Sequence, residues 1–136
     1  MRAITFYQYG DPSVLRCEER PEPSPTATWV RVRVHACAMN AADWHILRAD
    51  PFLARLAVGI TKPKFNVLGC DLAGVVDAVG SDVRRFKVGD AVMGELGSSG
   101  WGAFAESVCA PENVLVRKPE NVSFIEAAAA PLSGVT

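Results

Sequence analysis

The sequence predicts a mainly β fold, a small barrel or folded sheet, on three observations. Several short segments alternate apolar and polar residues with period two, as half-buried strands do. Gly- and Pro-containing turns separate these segments at short intervals. Few stretches change to helical spacing, and no glycine-rich strand-to-helix unit of the dinucleotide-binding kind is present.

Each element follows in order. "AITFY" reads as a strand, "YGDPS" as a turn and "VLRCEE" as a second strand. Proline at 21, 23 and 25 excludes a central strand from "RPEPSPTAT" and predicts an extended connector. "WVRVRVHAC" is a strand whose apolar content is Trp29, Val30, Val32 and Val34, with Arg31, Arg33 and His35 solvated on the other face. In "NAADWHILRAD" the apolar spacing becomes three to four (Ala42, Ile46, Ala49), which predicts a short helix with Asn40 as N-cap. "PFLARLAVGITKPKF" is apolar, irregular and bounded by prolines, a second short helix or a lid over a pocket. "NVLGCDLAGVVDAVG" reads as two strand pieces pivoting on Gly69 and Gly74. A turn at 88–90 leads into another strand, "LGSSGWG" is a loop, and "AFAESVCA" and "VLVRKP" complete the set. Ser123 and Glu126 form a capping-box signature for a closing helix that Pro131 should kink.

The 136 residues suit one domain, residues 1–122, followed by the start of a helix at 123–136. A net charge of −1 supplies no attraction for nucleic acid or an anionic membrane, and the longest apolar run is far too short to span a bilayer. The N-terminus alternates like a strand and has no secretory apolar core, so a cytoplasmic protein is expected. Cys17, Cys37, Cys70 and Cys109 are widely spaced, as reduced thiols serving as small core hydrophobes would be. His35 and His45 lack partners at zinc-ligand spacing, so no metal is expected. Asn40, Asp43, Trp44, Cys70 and Asp71 remain as candidate site residues. Asn40 and Asp43 have the spacing of a cap and a first-turn carboxylate, and a bend at Gly69 would expose Cys70 and Asp71 to a cleft.

Taken in order, "MRAITFYQYGDPSVL", "VRVHACAMNAADWHILRAD", "VLGCDLAGVVDAVGSDVRRFKVGDAVMG" and "GAFAESVCAPENVLVRKPENVSFIEAAAAPLSGVT" resemble the N-terminal, GroES-like catalytic domain of the medium-chain dehydrogenase/reductase superfamily. The resemblance is to the zinc-free, quinone oxidoreductase-like branch, where asparagine and aspartate three residues apart stand in the first active-site motif, as Asn40 and Asp43 do. The alcohol dehydrogenase branch has a cysteine at the first position and histidine and glutamate after the glycine of "VLGC"; here these are Asn40, Cys70 and Asp71. The lobe that holds structural zinc in those enzymes would fall near "GELGSSGWGAF", which contains no cysteine.

The resemblance implies a GroES-like, partly open β-barrel with short helices, ending in the helix that leads to a Rossmann domain beyond this chain. It implies hydride transfer from NADPH, less readily NADH, to a quinone, enone or related carbonyl acceptor without zinc, with no cofactor held by this fragment alone. Asn40 would orient the acceptor or the nicotinamide ribose, and Thr136 would approach the nicotinamide. Trp44, Cys70 and "PFLARL" would line the acceptor pocket. A homodimer is left open for the longer enzyme, and a stand-alone GroES-like binding module is the alternative reading.

Overall fold

The structure is a computed structural model that describes residues 1–135. It is mainly β with short helices, as the alternation and turn spacing predict. Strands β1 (Arg2–Thr5) and β2 (Arg16–Glu19) form an antiparallel ribbon. Strands β3 (Trp29–Ala38), β4 (Asp71–Val79), β5 (Ala91–Glu95), β6 (Ser107–Pro111) and β7 (Leu115–Arg117) form an antiparallel sheet in the order β6-β3-β4-β5-β7. Single bridges, Ala3 with Ala105 and Thr5 with Val67, attach the ribbon to the segments before β6 and β4. Among the described residues there are four short α-helices: α1 (Ala41–Arg48), α2 (Arg55–Val58), α3 (Phe124–Ala129) and α4 (Pro131–Val135).

The core follows from strand alternation. Val30 and Val32 of β3 point inward with Leu72 and Val76 of β4, Val92 of β5 and Leu115 of β7, each with no exposed surface. Each such side chain contributes about 1.5–3 kcal/mol by leaving water. The opposite face of β3 is not simply solvated. Arg31 is largely buried and its Nε donates to Asp77 Oδ1 at 2.7 Å, with Glu22 3.3 Å away.

Gly69 and Gly74 turn out to be different devices. Gly69 has φ +96° and marks a true change of direction, where a Cβ would stand 2.6 Å from Phe104 N. Gly74 is no pivot: β4 runs unbroken through it. It faces Val34 beside a register shift in β3, and a Cβ there would lie 2.1 Å from the Arg33 carbonyl oxygen. The glycine admits the neighbouring bulged strand rather than bending its own.

Asn40 does precede α1, but the buried side chains of that helix are Asp43 and Leu47, not Ala42 and Ile46. The "PFLARLAV" segment is a 3-10 turn followed by one turn of α2, and Phe52, Leu53 and Leu56 remain exposed. The cysteines divide: Cys70 is buried, Cys109 half-buried, and Cys17 and Cys37 are exposed rather than core residues.

At the C-terminal end, Ser123 Oγ accepts from Glu126 N–H and Ser123 N–H bonds Glu126 Oε2 at 2.9 Å, the expected capping box. Ala127 and Ala128 of α3 bury against Ala73 of β4. Small side chains on both sides let the helix lie close on the sheet. Pro131 starts the separate helix α4 because it has no N–H to continue α3.

Candidate functional site

Antiparallel pairing of β3 with β4 sets Ala38 opposite Asp71, so the end of one strand meets the start of the other. Asn40 is two residues beyond that pair and caps α1. The same pairing therefore gathers Asn40, Asp43, Cys70 and Asp71, which lie as far as 31 positions apart.

Asp43 is 3% exposed and spends its carboxylate on two main-chain donors. Oδ2 accepts from Asn40 N–H at 2.8 Å and Oδ1 from Gly69 N–H at 2.9 Å. Burial raises its pKa, opposed by those two hydrogen bonds. Asp71 is completely buried; its Oδ2 accepts from Asn40 Nδ2 at 3.1 Å. Both of its oxygens lie 3.2 Å from the Leu132 amide nitrogen at the start of α4. Burial raises the Asp71 pKa as well, with the Leu132 and Asn40 donors opposing. Cys70, between these carboxylates, has its thiol pushed up to about 12 by burial and then by the charges of Asp43 and Asp71. Its Sγ lies 3.5 Å from Asn40 Nδ2 and 4.0 Å from Asp43 Oδ2.

The expected exposure of Cys70 and Asp71 to a cleft is not what the structure shows. Both lie beneath Asn40 because the chain turns at Gly69, before them, and β4 pairing begins at Asp71. Asn40 is the half-buried member of the group and so its outward-facing group. An asparagine amide carries two N–H donors, and Asp71 takes one of them. The second has only the weak acceptor Cys70 Sγ nearby.

Trp44 is exposed on α1, with the Arg48 guanidinium 4.7 Å from its ring centre. A cavity of about 590 Å³ opens between β1, β2 and the end of β3, lined by Ile4, Cys17, Cys37, Met39 and Phe104. Neither Trp44, Cys70 nor the segment from Phe52 to Leu56 borders it. Thr136 lies outside the described residues. The Leu132 contact escaped sequence reasoning, although an aspartate opening the apolar run "DLAGVV" signals a buried carboxylate in need of donors. Among the described residues, no three His, Cys, Asp or Glu side chains form a metal-ligand set.

Comparison with known proteins agrees with this architecture. Residues 26–120 match the alcohol dehydrogenase GroES-like domain family. The chloroplastic quinone-oxidoreductase QR1 of Triphysaria versicolor is 36% identical over 140 residues, an alignment covering 100% of this chain and 40% of that protein. The quinone oxidoreductase of Rattus norvegicus is 32% identical, over 95% of this chain and 37% of its own length. Among solved structures, the quinone oxidoreductase of Coxiella burnetii superposes with TM-score 0.88 at 35% identity, covering 100% of this chain and 42% of that one. The Escherichia coli quinone oxidoreductase complexed with NADPH gives TM-score 0.85 at 29% identity, over 99% of this chain and 38% of that one. The chain thus spans about two fifths of the length of these relatives. It belongs to the alcohol dehydrogenase GroES-like domain family and is homologous to the catalytic domain of the quinone oxidoreductases.

Proposed function

We propose that this chain is the acceptor-side domain of an NAD(P)H-dependent oxidoreductase that reduces a quinone, enone or related carbonyl compound without zinc. The observation that carries the reading is the half-buried Asn40 amide, which gives one N–H to the buried Asp71 and the other to Cys70 Sγ, an acceptor weak enough for a ligand oxygen to displace. A bound nicotinamide cofactor supplies the hydride. NADPH is favoured over NADH because the Escherichia coli relative was crystallised with it. All paired strands among the described residues are antiparallel, and in the proposed enzyme the pyrophosphate cradle of a βα turn would lie in the stretch by which the relatives exceed this chain.

Charge that develops on the acceptor oxygen needs a donor, and the Asn40 N–H now on the weak acceptor Cys70 Sγ is the one that would be given up to it. Trp44 and the exposed Phe52, Leu53 and Leu56 offer apolar surface suited to a flat acceptor. The donor set is a poor fit to zinc. Asn40 turns an NH2 group, not a lone pair, toward Cys70 and Asp71. Cys70, moreover, is held as a thiol by its surroundings.

The test uses the longer protein that carries this domain. Asn40→Ala should lower turnover by roughly 10- to 1000-fold, as for loss of one oxyanion-type donor. Unchanged turnover in a folded variant would remove Asn40 from the reaction. Elemental analysis finding about one zinc per chain would overturn the zinc-free reading.

A further inference from the structure

Resting on that reading, we propose that Asp71 is a positioning residue that clamps the Asn40 amide and the start of α4 in one fixed geometry. Three observations carry it. Pro131 has no N–H, so Leu132 is the first donor that α4 presents, and it lies within the helix's unpaired first turn. That donor is met by no neighbouring cap but by both Asp71 oxygens at 3.2 Å, from 61 positions away. The same carboxylate takes Asn40 Nδ2 at 3.1 Å, so one buried side chain joins the capping residue of α1, the first residue of β4 and the first turn of α4.

A buried carboxylate is a costly way to hold a strand end. Leu72 and Ala73, the next residues of β4, are apolar and as fully buried. A third apolar residue at 71 would pack without the desolvation cost, but it would leave two donors unmet. The carboxylate therefore contributes geometry. It fixes which way the Asn40 amide faces, so that only the weaker contact, with Cys70 Sγ, remains to be exchanged for a ligand oxygen. It also sets the position of α4, the helix directly before Thr136. An Asn40 free to rotate would offer its carbonyl oxygen as readily as its NH2 group, and only the NH2 group stabilises negative charge on an acceptor oxygen.

The test compares wild type, Asp71→Ala, Asp71→Asn and the exchange Asn40→Asp/Asp71→Asn in the longer protein. Its readouts are steady-state kinetics and amide NMR of samples labelled with 15N at leucine and asparagine. Asp71→Ala should speed solvent exchange of the Leu132 amide by about tenfold or more, since it loses a charged acceptor. It should also broaden the Asn40 side-chain signals and lower kcat by about tenfold or more with a smaller change in KM. In the exchange variant the amide and carboxylate trade places, so the contact between positions 40 and 71 is kept and the new amide's oxygen can accept from Leu132. Leu132 protection should return to within about threefold of wild type, while turnover stays low because position 40 no longer donates. If Asp71→Ala does not fold, Asp71→Asn replaces it, with two NH2 groups opposed and the Asn40 signals displaced. Wild-type Leu132 protection and Asn40 signals in the folded Asp71 variants would overturn the proposal, as would an exchange variant that fails to recover protection. Full turnover in Asn40→Ala would instead sink the functional reading, and the Leu132 readout would still decide the clamp.

Discussion

The Asp43 carboxylate accepts the Gly69 N–H at 2.9 Å, tying the first turn of α1 to the bend that precedes β4. The same side chain bonds Asn40 N–H at 2.8 Å, so one helix-start aspartate serves two orphan donors. Asp43→Ala leaves both unmet in a buried place, which should destabilise the fold by about 2–4 kcal/mol. Asp43→Asn keeps one carbonyl acceptor and should cost roughly half as much. Urea denaturation midpoints at equal slope would check the order, and an Asp43→Asn as damaging as Asp43→Ala would contradict it.

Asn40→Asp probes the neighbouring contact. As an N-cap alone, aspartate would serve as well as asparagine. In the structure, however, the Asn40 amide lies 3.1 Å from the buried Asp71 carboxylate. A second carboxylate there repels the first and raises the pKa of the pair above its unfolded value. With a raised folded pKa, the pair's contribution is fully present below the unfolded carboxylate pKa and is lost as pH rises from there through the raised folded value. Relative to wild type, thermal melts should therefore show a deficit at pH 7 that shrinks by pH 4. An equal deficit at both values would show that repulsion between the two carboxylates is not what destabilises the variant.

Cys70 and the half-buried Cys109 predict an alkaline limit. Cys70 is pushed up to about 12 and Cys109 to about 11, both chiefly by burial, from an ordinary value of 9.0. Above pH 9 the unfolded chain releases these protons while the native state keeps them. Stability therefore falls with rising pH, at most by about 1.4 kcal/mol per pH unit for each thiol. Well below pH 9, where the unfolded thiols also keep their protons, neither contributes a slope. Unfolding free energies from pH 8 to 10.5 should bend downward, and Cys70→Ala with Cys109→Ala should flatten the bend. A bend of the same size in the double variant would assign it to other groups.

Gly74→Ala should be among the most damaging single changes in the sheet. The added methyl would meet the Arg33 carbonyl oxygen at 2.1 Å and Val32 Cγ1 at 2.8 Å. The backbone atom cannot move without breaking the pairing of β3 and β4, so the expected cost is about 1–3 kcal/mol or more. Gly89→Ala is a fair comparison, because nothing lies within 4 Å of its Cβ position and its cost comes only from φ +95°. Equal melting temperatures for the two variants would contradict the packing argument.

Much of this protein was legible from local chemistry. Val30 and Val32 announce their strand by alternation, Ser123 and Glu126 their helix by capping, and Pro131 the break after Ala130. Each is decided by atoms a few bonds apart, and the sequence alone determined them, along with the class of fold and the choice of Asn40, Asp43, Cys70 and Asp71 as candidates. Tertiary structure decided what those candidates touch. Nothing near Asp71 in sequence says that Leu132, 61 positions on, will supply its donor. Nothing near Gly74 says that a bulge will press the Arg33 carbonyl against it. Nor does the spacing of Cys70 from Gly69 tell exposure from burial, because that depends on how β3 and α1 close over the bend. Strand pairing and burial are set by chain segments that meet only on folding, and the charge, orientation and accessibility of the site are set with them.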